Sequence, residues 1–358
     1  MTDVAVIGAG MAGLVCAQQL TQAGYSVRIV EKSRGLGGRV ATRRLYGTCA
    51  DHGACYLKPK GELFGRFLEL LHQRHVLEVW TDTVYDFKSG SGLTIANTSP
   101  PTPRYVAPAG MSAIAKFLAQ DLEILLNQRV IRITPTPENN WRLTLESSNE
   151  ELNEELTAAS VVVAIPAPQA LMLLEPLGDL LGTAFLNNLR SVEFYPCLSV
   201  MAGYPSTSQP LPHWKAVNFV DDADLAWIGL DSSKRPSPEQ PVFVVQSSAA
   251  FAQRHDQTQD LHPVGQYILQ RASQLLLPWL DTPEWMQVHR WRYAFPSRPL
   301  QEACLPANFS LPLICCGDWC GGNLVEGAML SGLAAAEKIN NYLHNLPLLK
   351  ETFFNFLC

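Results

Sequence analysis

Charge is scarce in this chain. Of its 358 residues, 17% are Asp, Glu, Lys or Arg, well under the ~25% of an average soluble protein. That shortage excludes a disordered chain, because disorder goes with high charge and low hydrophobicity. With 27 Lys+Arg against 33 Asp+Glu, the formal net charge is −6. Neither nucleic acid nor an anionic membrane surface is therefore an expected partner. Long apolar runs are missing too. The best candidate, Val161 to Leu174, is broken by Pro166, Pro168 and Gln169, so no transmembrane helix is expected. No leader is expected either, since Met1-Thr2-Asp3 leads straight into Val4-Ala5-Val6-Ile7-Gly8, and the expected location is cytoplasmic. The nine cysteines are odd in number and unevenly spaced, which argues against a disulfide framework. Cys315, Cys316 and Cys320 lack C-x-x-C spacing and read as core thiols, while nothing nearby completes a site with His72 and His75. No metal is expected. G-x-S-x-G and an obvious Ser/His/Asp arrangement are absent as well.

What is present is apolar: 47% hydrophobic residues, with 24 Gly and 25 Pro. At roughly 150 residues per domain, the length suits two domains. Residues 3 to 31 read as a strand, a glycine turn, a helix from Met11 to Ala23 and a strand from Ser26 to Val30. A basic glycine-rich loop follows, and Glu62 to His75 has helical periodicity. Met111 to Asn127 reads as another helix, with short strands at Val130 to Ile133 and Trp141 to Leu145. Ala159 to Ile165 is apolar throughout, as a buried parallel strand should be. From Ala167 to Tyr293 period-2 runs mix with Pro-rich loops and one helix, Val264 to Leu277. The end of the chain returns to the first style, with a strand at Leu313 to Cys316 and a helix at Leu324 to Leu343. The expected class is α/β: a Rossmann-type domain (1–75, 104–166 and 294–347) with an inserted, mixed α+β substrate domain (76–103 and 167–293). An apolar tail, 348–358, is expected to dock.

Gly8-Ala9-Gly10-Met11-Ala12-Gly13 is G-x-G-x-x-G, placed between a strand and a helix. Glu31 ends the next strand, 18 residues after Gly13. Gly8 makes the tight turn, Gly10 lets the backbone approach a pyrophosphate, and Gly13 lets helix and strand pack. The helix start at Met11 and Ala12 offers N–H groups to phosphates, and Glu31 accepts from ribose hydroxyls. Glu31 would repel a 2′-phosphate, which disfavours NADP here. Lys32, Arg34, Gly37, Gly38 and Arg39 then set cations and close-approach glycines beside the same pyrophosphate. Arg43 and Arg44 read as a solvated basic loop. A second G-x-G-x-x-G is absent, which argues against separate FAD and NADPH domains. Near the other end, Gly317 and Asp318 follow the last strand, where Asp318 suits ribityl hydroxyls. The helix opening at Val325, Glu326 and Ala328 can aim its N-terminus at the pyrimidine edge of a flavin. Its small face, Gly327, Ala328, Ser331 and Gly332, serves either close approach or helix packing.

The second glycine doublet resembles the extension found in the FAD-dependent amine oxidase superfamily. Five segments look like its renalase branch: Lys32 to Arg43, Asp51-His52-Gly53-Ala54-Cys55-Tyr56, Tyr105 to Ala115, His289-Arg290-Trp291-Arg292-Tyr293-Ala294, and Val325-Glu326-Gly327-Ala328. The resemblance implies an FAD-binding domain of the hydroxybenzoate-hydroxylase type and non-covalent FAD. It also implies that the Val130 backbone lies near the adenine and Gly53 and Ala54 near the flavin, with Tyr56 and Trp291 as substrate contacts. His52 reads either as a flavin-side donor or as a structural histidine.

The reaction implied by the resemblance is oxidation of a dihydro isomer of NAD(P)H, with hydride passing to flavin N5 and O2 reduced to H2O2. Such chemistry needs a flat, dry slot and a near-attack pose rather than an acid or base. Candidate slot walls are Tyr195, His213, Trp214, Asn218, Trp227, Trp291 and Tyr293. The partner is then a small molecule, possibly a pyridine nucleotide. Alternatives are an amine or other C–H oxidase, a quinone-linked dehydrogenase, or a flavoprotein with structural FAD that docks a partner through Phe353 to Leu357.

Overall fold

A computed structural model describes residues 1–96, 101–146, 154–206, 210–322 and 324–348. Asn323 and all but the first residue of the apolar tail lie outside the described residues. The chain divides into two units. The first comprises Met1–Gly38, Ile114–Glu193 and the chain from Pro296 onward; the second comprises Arg39–Ala113 and Phe194–Phe295.

The first unit is built on a sheet in the order Val130–Pro135, Trp141–Leu145, Glu155–Val163, Thr2–Ile7, Val27–Glu31, Glu123–Leu126. Leu313–Cys315 also pairs with Glu155–Val163, in parallel. Val4, Ala5 and Val6 are wholly buried, as are Val161, Val162 and Val163 beside them. β-branched side chains covered on both faces are what parallel strands require. Register matters more for function. Ile7 lies opposite both Val30 and Val163, and Val163 lies opposite Cys315. The turns at Gly8, Lys32, Ala164 and Cys316 therefore all leave one edge, the carboxyl end of the sheet, where open α/β sheets hold ligands. Helix Met11–Gln22 covers this core with residues 11 to 20 buried. Helix Leu324–Tyr342 packs on it so closely that a Cβ at Gly332 would lie 2.4 Å from the Ala12 carbonyl oxygen.

The second unit carries a seven-stranded sheet: Trp285–Arg298, Glu193–Gly203, Val242–Ser247, Leu225–Leu230, Ala216–Phe219, Tyr85–Lys88, Gly92–Ile95. The four pairs Glu193–Gly203/Val242–Ser247, Val242–Ser247/Leu225–Leu230, Leu225–Leu230/Ala216–Phe219 and Tyr85–Lys88/Gly92–Ile95 run antiparallel, and Ala216–Phe219 meets Tyr85–Lys88 in parallel. Helix His262–Leu275 and the rings of Tyr204, Trp214 and Phe243 fill its core. Trp214, expected as a slot wall, is a core residue.

Three expectations are corrected. The helix from Met111 to Asn127 is a short helix, Ser112–Leu118, followed by a strand, Glu123–Leu126. The Gln18 amide donates to the carbonyls of Leu118 and Gln120 at 2.9 and 2.7 Å and holds the helix end. Asp121 turns the chain at φ +61°, and the apolar Ile124 and Leu125 pair with the edge of Val27–Glu31. The basic loop contains a hairpin, Thr42–Leu45 with Thr48–Asp51, turning at Tyr46 and Gly47 where both φ angles are positive. The unit boundaries also fall elsewhere. Residues 39–75 and 104–113 belong to the second unit, where Thr42 and Asp51 bond Ser112 and Met111. Residues 167–193 belong to the first unit, because Ala167, Ala170 and Leu174 of helix Ala167–Leu174 are buried there.

Candidate functional site

In the first unit the three motif glycines are required for different reasons. Gly8 sits at φ +104°, and a Cβ there would come within 2.6 Å of the Ala164 carbonyl oxygen. A Cβ at Gly13 would lie 2.0 Å from the Gly8 oxygen. Both positions are closed by the protein's own backbone. Gly10 is the opposite case: a Cβ there meets nothing within 4 Å. It caps helix Met11–Gln22 with no side-chain cap and no acidic residue in the first turn. The helix therefore presents unpaired N–H groups and its positive dipole end to open space, which suits a pyrophosphate.

The second glycine pair lies along the first. Gly37 N–H donates to the Ala9 carbonyl at 2.9 Å, and Gly38 comes up against the Gly10 Cα at φ +57°. Glu31, 9% exposed, accepts from Ala9 N–H and Ser33 N–H, both at 2.8 Å, through its two oxygens. Each oxygen keeps a further lone pair for a ribose hydroxyl. Asn127 and Gln128 donate to the carbonyls of Ser33 and Glu31, and this brings buried Val130 to the Glu31 end. Lys32 and Arg34 are exposed on the loop, with Lys32 reaching Gln169 at 3.5 Å. The cradle thus fits the adenine nucleotide half of a dinucleotide.

At the same sheet edge, Cys316 N–H donates to Val163 and Gly317 N–H donates to the Ser331 hydroxyl at 3.0 Å. Asp318 is buried, and Trp319 donates to the Ile165 carbonyl at 3.1 Å. Val325, Glu326 and Ala328 are half-buried in the first turns of their helix. Close packing accounts for most of its small face: Gly332 abuts Ala12, Gly327 abuts Gly322, and Ser331 holds Gly317.

The second unit gathers the other candidates. A Cβ at Gly53 would lie 2.0 Å from the Arg39 carbonyl oxygen, which also accepts from Ala54 N–H at 2.8 Å. The Arg39 guanidinium donates to the carbonyls of Tyr293 and Ala294, both at 3.2 Å. The Trp291 indole donates to the His52 carbonyl at 2.8 Å, and the two rings stack with centroids 5.3 Å apart. His289 completes a three-ring group, 4.8 Å from His52 and 4.3 Å from Trp291. Tyr56 belongs to a different group, 6.4 Å from both Trp80 and Trp227. Asn218 donates to Asp86 at 2.9 Å across one strand pair and lies opposite Trp227, of this second ring group, across the next.

Burial pushes His52 down to about 3, with His289 and Arg43 adding to the effect and Asp51 opposing it. Burial, then Arg43, pushes His289 down to about 4. Both imidazoles are neutral at physiological pH.

The sequence reading missed His289 as a site residue, although its i, i+2 spacing from Trp291 on one strand predicts a shared face. It also missed a group of four charges that gathers at Asp51, the residue before His52. Lys234 lies 2.5 Å from Asp231 and 3.2 Å from Asp51, and Arg235 lies 3.0 and 2.9 Å from the same carboxylates. Asp51 further accepts from Met111 N–H and the Thr42 hydroxyl. Burial raises Asp51, but Lys234 and Arg235 outweigh it and hold the carboxyl below its ordinary range. No local signal in the sequence joins Asp51 to residues 231–235.

Comparison with known proteins agrees with this geometry. The flavin containing amine oxidoreductase family matches residues 61–340, and an NAD(P)-binding Rossmann-like domain matches residues 6–71. The chain belongs to the flavin containing amine oxidoreductase family. Over 57 residues it is 44% identical to AofH of Mycobacterium tuberculosis, described as a flavin-containing monoamine oxidase, covering 16% of this chain and 13% of that one. It is 41% identical over 70 residues to an L-amino-acid oxidase of Siganus canaliculatus, covering 19% of this chain and 13% of that one. The matches thus span only a small part of these relatives' length. Among solved structures, cyclohexylamine oxidase from Brevibacterium oxydans superposes with a TM-score of 0.69 at 15% identity, covering 96% of this chain and 99% of that one. Putrescine oxidase bound to putrescine gives 0.68 at 14%, covering 95% and 99%. These likenesses carry the fold. Among the described residues no helix is long and apolar enough to cross a membrane, and no group of three or more His, Cys, Asp or Glu is placed to hold a metal ion.

Proposed function

We propose that this chain is a renalase-like oxidase. It takes a hydride from a small flat substrate, a dihydro isomer of NAD(P)H, giving NAD(P)+, and the two electrons pass on to O2 to give H2O2. Non-covalently bound FAD supplies the hydride-accepting ring. Gly8, Gly10, Met11, Ala12, Gly13, Glu31, Lys32, Arg34, Gly38, Arg39 and Val130 would hold its nucleotide half. His52, Gly53, Ala54, Gly317, Asp318, Val325, Glu326 and Ala328 would serve its flavin half, and Trp291, Tyr56 and Asn218 the substrate. The eight described cysteines are free thiols, seven of them buried, which fits the reducing cytoplasm.

The observation that carries the substrate class is the ring group of His52, His289 and Trp291. It offers flat, neutral surface to a dihydropyridine, with the Arg43 cation beside His289. An amine substrate arrives as a cation and would be repelled there. The carboxylate that acts on His52, Asp51, is held by Lys234 and Arg235. Trp291 and His52 orient the ring by stacking, and the buried His52 side keeps water out.

Amine oxidation is the second reading. It is favoured by the Tyr56 and Trp227 rings, whose faces suit a cation, while the neighbouring Trp80 ring already has Lys234 Nζ over it at 5.4 Å from its centroid. Anaerobic mixing of the holoenzyme with 1,2- and 1,6-dihydro-NAD(P), ordinary NADH and a panel of amines decides between them. Rapid flavin bleaching by the dihydro isomers is expected. Bleaching by an amine, with none by the isomers, overturns the first reading.

A further inference from the structure

Arg43 stands out from the other cations around the ring group. Its guanidinium lies 3.5 Å from His289 Nδ1, and no carboxylate pairs with it among the described residues. Its Nε is enclosed and without a hydrogen-bond partner, and so is Nδ1 of His52, whose residue is 95% buried. Burial holds both imidazoles neutral, so neither neutralises nor repeats the Arg43 charge. Arg235, by contrast, has two carboxylates, and Arg39 has the carbonyls of Tyr293 and Ala294. A half-buried guanidinium facing two neutral rings, with no carboxylate beside it, leaves a place for an anion. Guanidinium geometry suits the planar or tetrahedral oxygens of carboxylate and phosphate. Arg43, His289 and Trp291 are only half-buried, so an incoming group can reach them.

We propose that Arg43, flanked by His52 and His289, is an oxyanion subsite that takes the acidic group of the substrate while its oxidisable part lies on Trp291. The inference rests on the reading of the ring group as the substrate site and adds the substrate's charge to it. Under that reading the acidic group is a phosphate of the dihydropyridine nucleotide. A carboxylate is the other source of the same chemistry. Arg43 binds and orients; it does not exchange a proton with the reacting atoms.

The test uses the holoenzyme and three proteins: wild type, Arg43→Gln and Arg43→Lys. Flavin bleaching is followed anaerobically with 1,6-dihydronicotinamide mononucleotide and with the matching riboside, which lacks the phosphate. Arg43→Gln should raise KM for the mononucleotide about 10- to 100-fold, against no more than about twofold for the riboside, and Arg43→Lys should recover part of the loss. L-amino acids are run against the amines that lack their carboxylate. If amino acids alone bleach the flavin and Arg43→Gln raises their KM, the dihydropyridine reading falls and the subsite stands with a carboxylate. Calorimetric titration of the holoenzyme with inorganic pyrophosphate gives a readout independent of turnover, and binding should weaken about tenfold or more in Arg43→Gln. Equal effects on mononucleotide and riboside, or pyrophosphate binding identical in all three proteins, overturn the proposal. So does loss of FAD from Arg43→Gln on gel filtration, which would assign the guanidinium to the cofactor.

Discussion

Gly10 and Gly13 belong to one motif yet should fail differently. A Cβ at Gly13 collides with the Gly8 carbonyl oxygen at 2.0 Å, so Gly13→Ala should destabilise the apoprotein by about 1–3 kcal/mol, read by urea unfolding. A Cβ at Gly10 enters open space. Gly10→Ala should cost the apoprotein only about 0.5 kcal/mol, mostly through a poorer helix cap. It should nevertheless weaken FAD retention by about tenfold or more, because the new methyl stands where the pyrophosphate approaches. Equal FAD affinity in Gly10→Ala and wild type would remove Gly10 from the cradle. The neutral histidines add a pH dependence. Their ordinary value is 6.5, and in the fold His289 sits at about 4 and His52 at about 3. Above 6.5 folded and unfolded chains are equally neutral. As the pH falls below it the unfolded chain takes up protons that the folded chain refuses, so stability drops, levelling near 4 for His289 and near 3 for His52. Thermal melts should decline more steeply between pH 6.5 and 4 in wild type than in His52→Gln.

Elements whose partners are close in sequence were readable in advance. The strand at Thr2–Ile7, the turn, the helix at Met11–Gln22 and the strand at Val27–Glu31 form one unit of about thirty residues, and its hydrophobic periods change where its glycines stand. Glu123–Leu126 was not readable, because Ile124, Leu125 and Leu126 satisfy a helix pattern as well as a strand. Its state is decided by the free edge of Val27–Glu31, about a hundred residues away in the chain. Helix Leu324–Tyr342 shows the same dependence, since its small residues could have faced a ligand or a helix. Gly332 faces Ala12. Gly332→Ala should therefore lower stability by about 1–3 kcal/mol with the apoprotein and the holoenzyme affected alike, as unfolding with and without added FAD would report. A loss confined to the FAD-loaded form would return Gly332 to the cofactor.

For the molecule as a whole, charge is scarce, and not all of it lies at the surface. Asp51, Asp231 and Lys234 are fully buried, and Arg235 nearly so. Two acids and two bases cancel, so the group is tolerable inside, but removing one member leaves a charge unmatched. Lys234→Met should destabilise the protein by about 3–5 kcal/mol, and the double variant Lys234→Met/Asp231→Leu should recover much of that, measured by urea unfolding. Additive losses in the double variant would deny the coupling. Lys234 and Asp51 stand 183 residues apart in sequence, and Arg43 and His289 stand 246 apart. Neither pairing has a period or a spacing to announce it. The dinucleotide cradle needed only local order, because a strand, a glycine turn and a helix are set by neighbours in the chain. Glu31 and the three glycines were therefore evident from residue types and their spacing. The ring group, its unpaired guanidinium and the charges beneath it needed the folded second unit, since burial and long-range proximity are what make a histidine neutral, an arginine available and a carboxylate committed.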